Sequence, residues 1–200
     1  MKFMSHHLMT DLVIKKISRT TDISEYQVII KFGSIYPDIS LSHYMPRILF
    51  PNKSNHKIDD TLDLVKDLVK KIYEEVNKDK SNYEKMFFNI GKVMHYLGDF
   101  VCFPHTPIFT GNVPNHITYE KELGKELKIH SKTYLYDSIL TNTHVCESAD
   151  DFMKVFYRKY NRYIYEYEGY KTDIKYAMDL SSDLLYSIVR LMKKTKTKAA

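Results

Sequence analysis

Two hundred residues fit one domain, and a chain this long buries roughly 70% of its unfolded surface, so a hydrophobic content of 44% suffices for a full core. The formal charge of +5 is modest and spread along the chain, so charge alone does not argue for a nucleic-acid partner. Two cysteines, Cys102 and Cys146, exclude a disulfide framework at this length and read as free buried thiols.

The apolar spacing predicts a first helix over 5–18, with His6, Met9, Val13, Ile14 and Ile17 on one face and His7 off it. Its polar start, MKFMSHHLMTDL, does not read as a secretory signal, and no run of 18 apolar residues follows anywhere. The expectation is therefore a cytoplasmic protein without stable membrane insertion, secreted only if a leader has been removed. A second helix is expected over 22–32, capped at Asp22 or Ser24. Residues 32–55 carry Gly33, Pro37, Pro46 and Pro51 and read as a loop, longer than a compact domain keeps without a function for it.

The clearest helix spans 57–78, striped by Ile58, Leu62, Val65, Val69, Ile72 and Val76. The next, over 82–101, places Phe87, Ile90, Met94, Leu97 and Val101 on one face and His95 and Asp99 on an adjoining one. Gly91 and Gly98 fall close to that adjoining face, where small residues let another backbone approach. Helices over 115–128, 149–167 and 171–194 follow, while 129–148 has no clear assignment. The basic end, RLMKKTKTKAA, reads as a frayed, solvated terminus, with weak attraction to an anionic surface as the second reading. No strand signal, repeat or Gly-rich phosphate loop occurs. The expected fold class is all-α: a single-domain helical bundle of about seven helices with a long metal-site loop at 32–56.

Chemistry concentrates in GKVMHYLGDFVCFPHTPIFTGNVPNHITYE, residues 91–120. His95 and Asp99 are four apart, as are His116 and Glu120, and residues so spaced on a helix share a face with about 5–6 Å between Cβ atoms. His105, flanked by Pro104 and Pro107, is presented from a bend. Singly, each is more often a core or surface residue than a ligand. Together, in the pattern H-x3-D-x5-H-x10-H-x3-E, they favour a divalent metal such as zinc. Cys102 stands beside them without an identifiable partner for thiolate ligation. Further donors are available at Asp38, His56 and His6, which taken alone read as a turn residue, a helix-start group and a core residue.

The segment HYLGDFVCFPHTP followed by NHITYE resembles the signature of the bacterial zinc-dependent phospholipase C family, which shares its fold with the single-strand-specific zinc nucleases of fungi and plants. The shared order of ligands is met here by His6, Asp38, His56, His95, Asp99, His105, His116 and Glu120. The resemblance spans 6–120, and the C-terminal third is matched only by helical character. It implies one zinc held by Asp38, His56, His95 and Asp99, a second by His105, His116 and Glu120, and a third using His6 with Asp99 bridging.

His43 competes with His56, and His7 with His6. In relatives the corresponding His lies farther from the Asp, ahead of a long helix, which favours His56; the apolar phase favours His6. In secreted relatives the third zinc is completed by the amine and carbonyl of an N-terminal Trp, whereas this chain begins MKFMS. Ile39 stands where a choline-contacting Tyr is expected.

The implied activity is hydrolysis of phosphate esters by a two- or three-zinc cluster, foremost a phospholipase C-like phosphodiesterase acting on a phospholipid, with Asp38 as the catalytic residue that orients or deprotonates water. Three alternatives stand beside it: a nuclease for single-stranded nucleic acid, for which Tyr36, Tyr44 and Tyr96 are the available stacking aromatics; a non-catalytic metal-binding or scaffold protein; and a structural bundle that binds no metal.

Overall fold

The apolar stripes become helices in the structure, a computed structural model that describes residues 1–40, 58–78, 81–129, 131 and 143–199. Among the described residues seven helices run in chain order: α1 Phe3–Ile17, α2 Gln27–Ile39, α3 Ile58–Val76, α4 Tyr83–Phe100, α5 Val113–Ile129, α6 Ala149–Glu166 and α7 Tyr170–Ala199. Short 3-10 turns at Ser24–Tyr26 and Phe103–His105 precede α2 and follow α4. There is no strand among the described residues, so the fold is all-α. No helix among them is long and apolar enough to cross a membrane.

Local signals set the helix starts. The Asn82 side chain accepts from the Lys85 N–H at 3.0 Å ahead of α4, and the Ser148 hydroxyl accepts from the Asp151 N–H at 3.1 Å ahead of α6. Asp150 and Asp151 add negative charge where the α6 dipole is positive. Gly169, with φ at 117°, takes the left-handed turn from α6 into α7.

Helix α4 is the axis of the bundle. It packs against α1, α2, α3 and α7. Every residue from Val93 to Phe100 is buried, as expected of a helix surrounded on all sides. Ile30 of α2 and Ile72 of α3, both fully buried, belong to the faces that close on it, and the Phe156 ring of α6 lies 5.8 Å from that of Phe100 at its end.

Three expectations change. Helix α2 does not end at residue 32 but continues through Pro37 and Asp38 to Ile39, with Ser40 N–H closing on the Tyr36 carbonyl at 2.9 Å. Proline is tolerated because it lies in the last turn, where few following bonds depend on it, and because α2 is held along its length by α4. Asp38 is therefore a helical residue, not a loop residue. The rest of the expected loop, with His43, Tyr44 and His56, lies outside the described residues. At the other end, α7 continues to Ala199 rather than fraying after 194. In the unassigned 129–148 stretch, residues 143–146 are tied to α7: Asp183 accepts from the His144 N–H at 2.9 Å, and the Ser187 hydroxyl from the Cys146 N–H at 2.8 Å.

The α2–α4 contact is unusually close, and two glycines permit it. A Cβ added at Gly91 would stand 2.2 Å from the Ile30 carbonyl oxygen and 2.8 Å from the Ser34 nitrogen; one added at Gly33 would stand 2.2 Å from the Phe88 carbonyl oxygen. All three are backbone atoms, which cannot swing aside. Alanine normally gains about 1 kcal/mol over glycine inside a helix, but overpacking costs about 1–3 kcal/mol or more when backbone must move. Gly91→Ala should therefore lower the free energy of unfolding by about 2 kcal/mol, read from urea denaturation; an unchanged or raised midpoint would contradict the contact.

Candidate metal centre

The close α2–α4 approach places the Ser34 carbonyl 2.9 Å from Nδ1 of His95. A carbonyl only accepts, so Nδ1 carries a proton and Nε2 is the ring nitrogen turned into the site. That nitrogen faces two carboxylates, 3.3 Å from Asp99 Oδ2 and 3.9 Å from Asp38 Oδ1. Asp99 lies one turn beyond His95 on α4, and Asp38 one turn beyond Ser34 on α2. His6, on the inner face of α1, stacks on the His95 ring with centroids 3.8 Å apart, and its Nε2 lies 3.2 Å from Asp99 Oδ1. His6, His95 and Asp99 offer three donor atoms within 4.8 Å of one another, all buried.

A second group adjoins the first. The Phe103–His105 turn, closed by the His105 N–H on the Cys102 carbonyl at 2.8 Å, directs His105 Nε2 to 3.0 Å from Glu120 Oε1. His116, one turn before Glu120 on α5, reaches the same oxygen at 3.0 Å. His105 Nε2 is also 3.9 Å from Asp99 Oδ1, so Asp99 joins the two groups.

Between them sits the α-ammonium group of Met1, a donor that no side-chain pattern announces. It contacts Asp99 Oδ1 and lies 3.1 Å from Glu120 Oε1 and 3.3 Å from His105 Nε2. Burial pushes its pKa down, but Asp99, Cys102 and Glu120 more than reverse this and hold it well above the usual value.

The same environment sorts the other charges. Burial, with His95 adjacent, takes His6 down to about 3, and burial with the Met1 ammonium takes His105 down to about 4. Asp99 and Glu120 are pushed up by burial. The ammonium and neighbouring histidines outweigh that, and both are held well below the usual carboxylate range. At neutral pH His6 and His105 are thus neutral and both carboxylates ionised, the states in which these groups ligate a metal.

The residues fit zinc on chemistry as well as count. Imidazole nitrogens and carboxylate oxygens are zinc donors. Here Nε2 of His95 is turned toward two acids, and a buried cation, the Met1 ammonium, already stands at the junction.

The structure thus brings His6, Asp38, His95, Asp99, His105, His116 and Glu120 together from four helices and one turn. His56 and its competitor His43 lie outside the described residues. His7 is only partly buried. Of the candidate stacking aromatics, Tyr96 is fully buried and offers no face to a base, Tyr36 packs edge-on against Phe88 with centroids 5.1 Å apart, and Tyr44 lies outside the described residues.

One residue that sequence reasoning missed supports the second group. Asp173, buried in the first turn of α7, accepts from the Phe103 N–H at 3.1 Å and from the hydroxyls of Tyr119 and Tyr163, each at 2.9 Å. Phe103 belongs to the turn that carries His105, and Tyr119 adjoins Glu120, so one carboxyl ties both ligand-bearing segments to α7. Burial pushes Asp173 up to about 7 against the pull of these bonds. Nothing in the sequence separates it from any other acid at a helix start.

An all-helical fold that gathers imidazoles and carboxylates at the end of its central helix defines a class of metal-dependent protein. More narrowly, the chain belongs to the zinc-dependent phospholipase C family: the family model described as zinc dependent phospholipase C matches residues 2–170. No match is found among curated proteins or solved structures.

Two outcomes follow for the metal-free protein. His6 and His105 have folded pKa values of about 3 and 4 against 6.5 for the ordinary group. Below pH 6.5 the unfolded chain takes up protons that the folded chain does not, so stability is present above that pH and is lost as pH falls toward the folded values. Asp99 and Glu120 add a loss of the same sign below their ordinary 3.8 and 4.5. Asp173, raised to about 7, and Asp183, raised by its burial, act in the opposite sense, so between pH 7 and pH 5 it is the two histidines whose loss is set against these acids. Urea midpoints should fall from pH 7 to pH 5; a rise would contradict the assigned protonation states. Asp173→Ala leaves three donors without their acceptor and should cost about 3 kcal/mol in the same measurement.

Proposed function

We propose that the chain is a single zinc-dependent phospholipase C-like domain that hydrolyses phosphodiesters, with a phospholipid as the favoured substrate. The observation that carries this reading is the inward convergence of seven ligand-type side chains from four helices and one turn around a buried cation. His6, Asp38, His95 and Asp99 would serve one part of a cluster of two or three zinc ions. His105, His116 and Glu120 would serve the other.

Zinc, when bound, supplies positive charge for the phosphoryl oxygens and acidifies water from about 15.7 toward 7. The protein's share is orientation and proton handling. Ser34 fixes the His95 tautomer and ring plane through its carbonyl, as outer partners of ligating histidines do. Asp99 spans the two groups and sets their separation. Asp38 is the most exposed of the three carboxylates, with 24% of its side chain accessible. It is thus placed to orient an entering water and accept its proton before attack on phosphorus.

Phospholipid is preferred over single-stranded nucleic acid because binding of bases needs open aromatic faces, and burial takes Tyr96 out of that role.

Chelation with EDTA, or His95→Ala, should lower phosphodiester turnover by about 100-fold or more. Parallel assays on a phospholipid, a chromogenic phosphodiester and single-stranded DNA should rank the phospholipid first. Undiminished turnover after complete metal removal would overturn the proposal. Full zinc loading with no turnover on any of the three would instead mark a non-catalytic metal protein.

A further inference from the structure

Of the two cysteines, one stands inside the centre and has no part in the chemistry above. Cys102 is fully buried, at the start of the turn that carries His105 three residues later. Its sulfur, a His105 ring nitrogen and a Glu120 oxygen all lie within 4.8 Å of one another. His116 shares Glu120 Oε1 with His105, 3.0 Å from each. Zinc binds sulfur at about 2.3 Å and nitrogen or oxygen at about 2.0–2.2 Å, so two donors of one tetrahedral ion stand about 3.3–3.7 Å apart. Donor atoms within 4.8 Å of one another must draw together to reach that spacing around an ion.

A buried cysteine is usually a small apolar filler. This one lies within reach of charged groups as well: burial first, and then the carboxylates of Asp173, Asp99 and Glu120, push its thiol well above the usual value, against the pull of the Met1 ammonium.

We propose that Cys102 is a fourth protein ligand, completing with His105, His116 and Glu120 a set that closes this half of the centre to water and leaves substrate handling to the half around Asp38 and His95. The inference rests on the zinc reading above. As the sulfur–metal bond forms, the S–H bond breaks and its proton leaves to solvent, since a coordinating thiol is deprotonated outright. Four protein donors characterise closed, structural zinc sites, whereas a catalytic ion keeps one position for water or substrate. The arrangement therefore divides the cluster into an ion that holds the Phe103–His105 turn to α5 and one that meets the phosphate.

Cobalt(II) reports this directly, because a thiolate ligand adds a near-ultraviolet charge-transfer band to the visible d–d bands that any bound cobalt shows. The full chain, freed of metal and titrated with cobalt, should show both, and Cys102→Ser should lose the charge-transfer band while keeping the d–d bands. Cys146→Ser serves as control and should keep both: that residue lies elsewhere, its N–H bonded to Ser187 and its carbonyl accepting from the Tyr73 hydroxyl. Wild-type protein with d–d bands and no charge-transfer band overturns the role of Cys102 and leaves the zinc reading standing. A charge-transfer band that survives in Cys102→Ser overturns it equally. Protein that binds neither cobalt nor zinc overturns both. The wild-type spectrum decides the matter even if the variant does not fold.

Discussion

The backbone-to-backbone contact of Gly33 and Gly91 is the constraint on which the centre depends. It brings α2 and α4 closer than any side chain would allow, and at that separation the Ser34 carbonyl reaches the His95 ring. The carbonyl settles which nitrogen of His95 is protonated, and one helical turn further along α2 Asp38 arrives opposite the other nitrogen. Packing, tautomer and donor geometry are thus consequences of two missing methyl groups. Pro37 belongs to the same arrangement: it sits in a turn already held by α4, and its ring stiffens the backbone directly before Asp38.

Electrostatics explains why the rest of the site can exist inside a core. Asp99 and Glu120 are buried among imidazoles, and burial alone would neutralise both. What keeps them ionised is the Met1 ammonium with the neighbouring histidines for Asp99, and hydrogen bonds from His105 and His116 with the ammonium behind them for Glu120. Asp173 works at one remove. It is itself pushed toward neutrality, and it holds the turn and α5 in register through bonds donated by neutral groups. The donor-bearing segments are α1, α2, α4, α5 and one turn, while α7 acts as the wall against which the second group is braced.

Much of this was legible in the letters. The seven expected helices all form among the described residues, the apolar period being strongest in α3 and α6, and the i, i+4 pairs His95–Asp99 and His116–Glu120 fall on single faces as helical geometry requires. His6 could be placed by its phase with Met9, Val13 and Ile17. The end of α2 was misread because Gly33 and Pro37 are local breakers, and only contact with another helix overrides them; that contact is a tertiary fact. The α-amino group of Met1 has no letter of its own. Asp173 has one, but its role comes from Phe103 and Tyr119, residues 70 and 54 positions away, which no local pattern connects. Cys102 was seen beside the ligands without a partner, and the partners are supplied by the fold.

The position of Asp99 carries a thermodynamic consequence. Its oxygens reach His6 and His95 on one side and His105 on the other, so the two donor groups share a single anion. Whatever occupies one side alters the charge and orientation that the other side feels. By linkage any such influence must be mutual and of equal size in both directions, so neither half could change its charge without the other answering in kind.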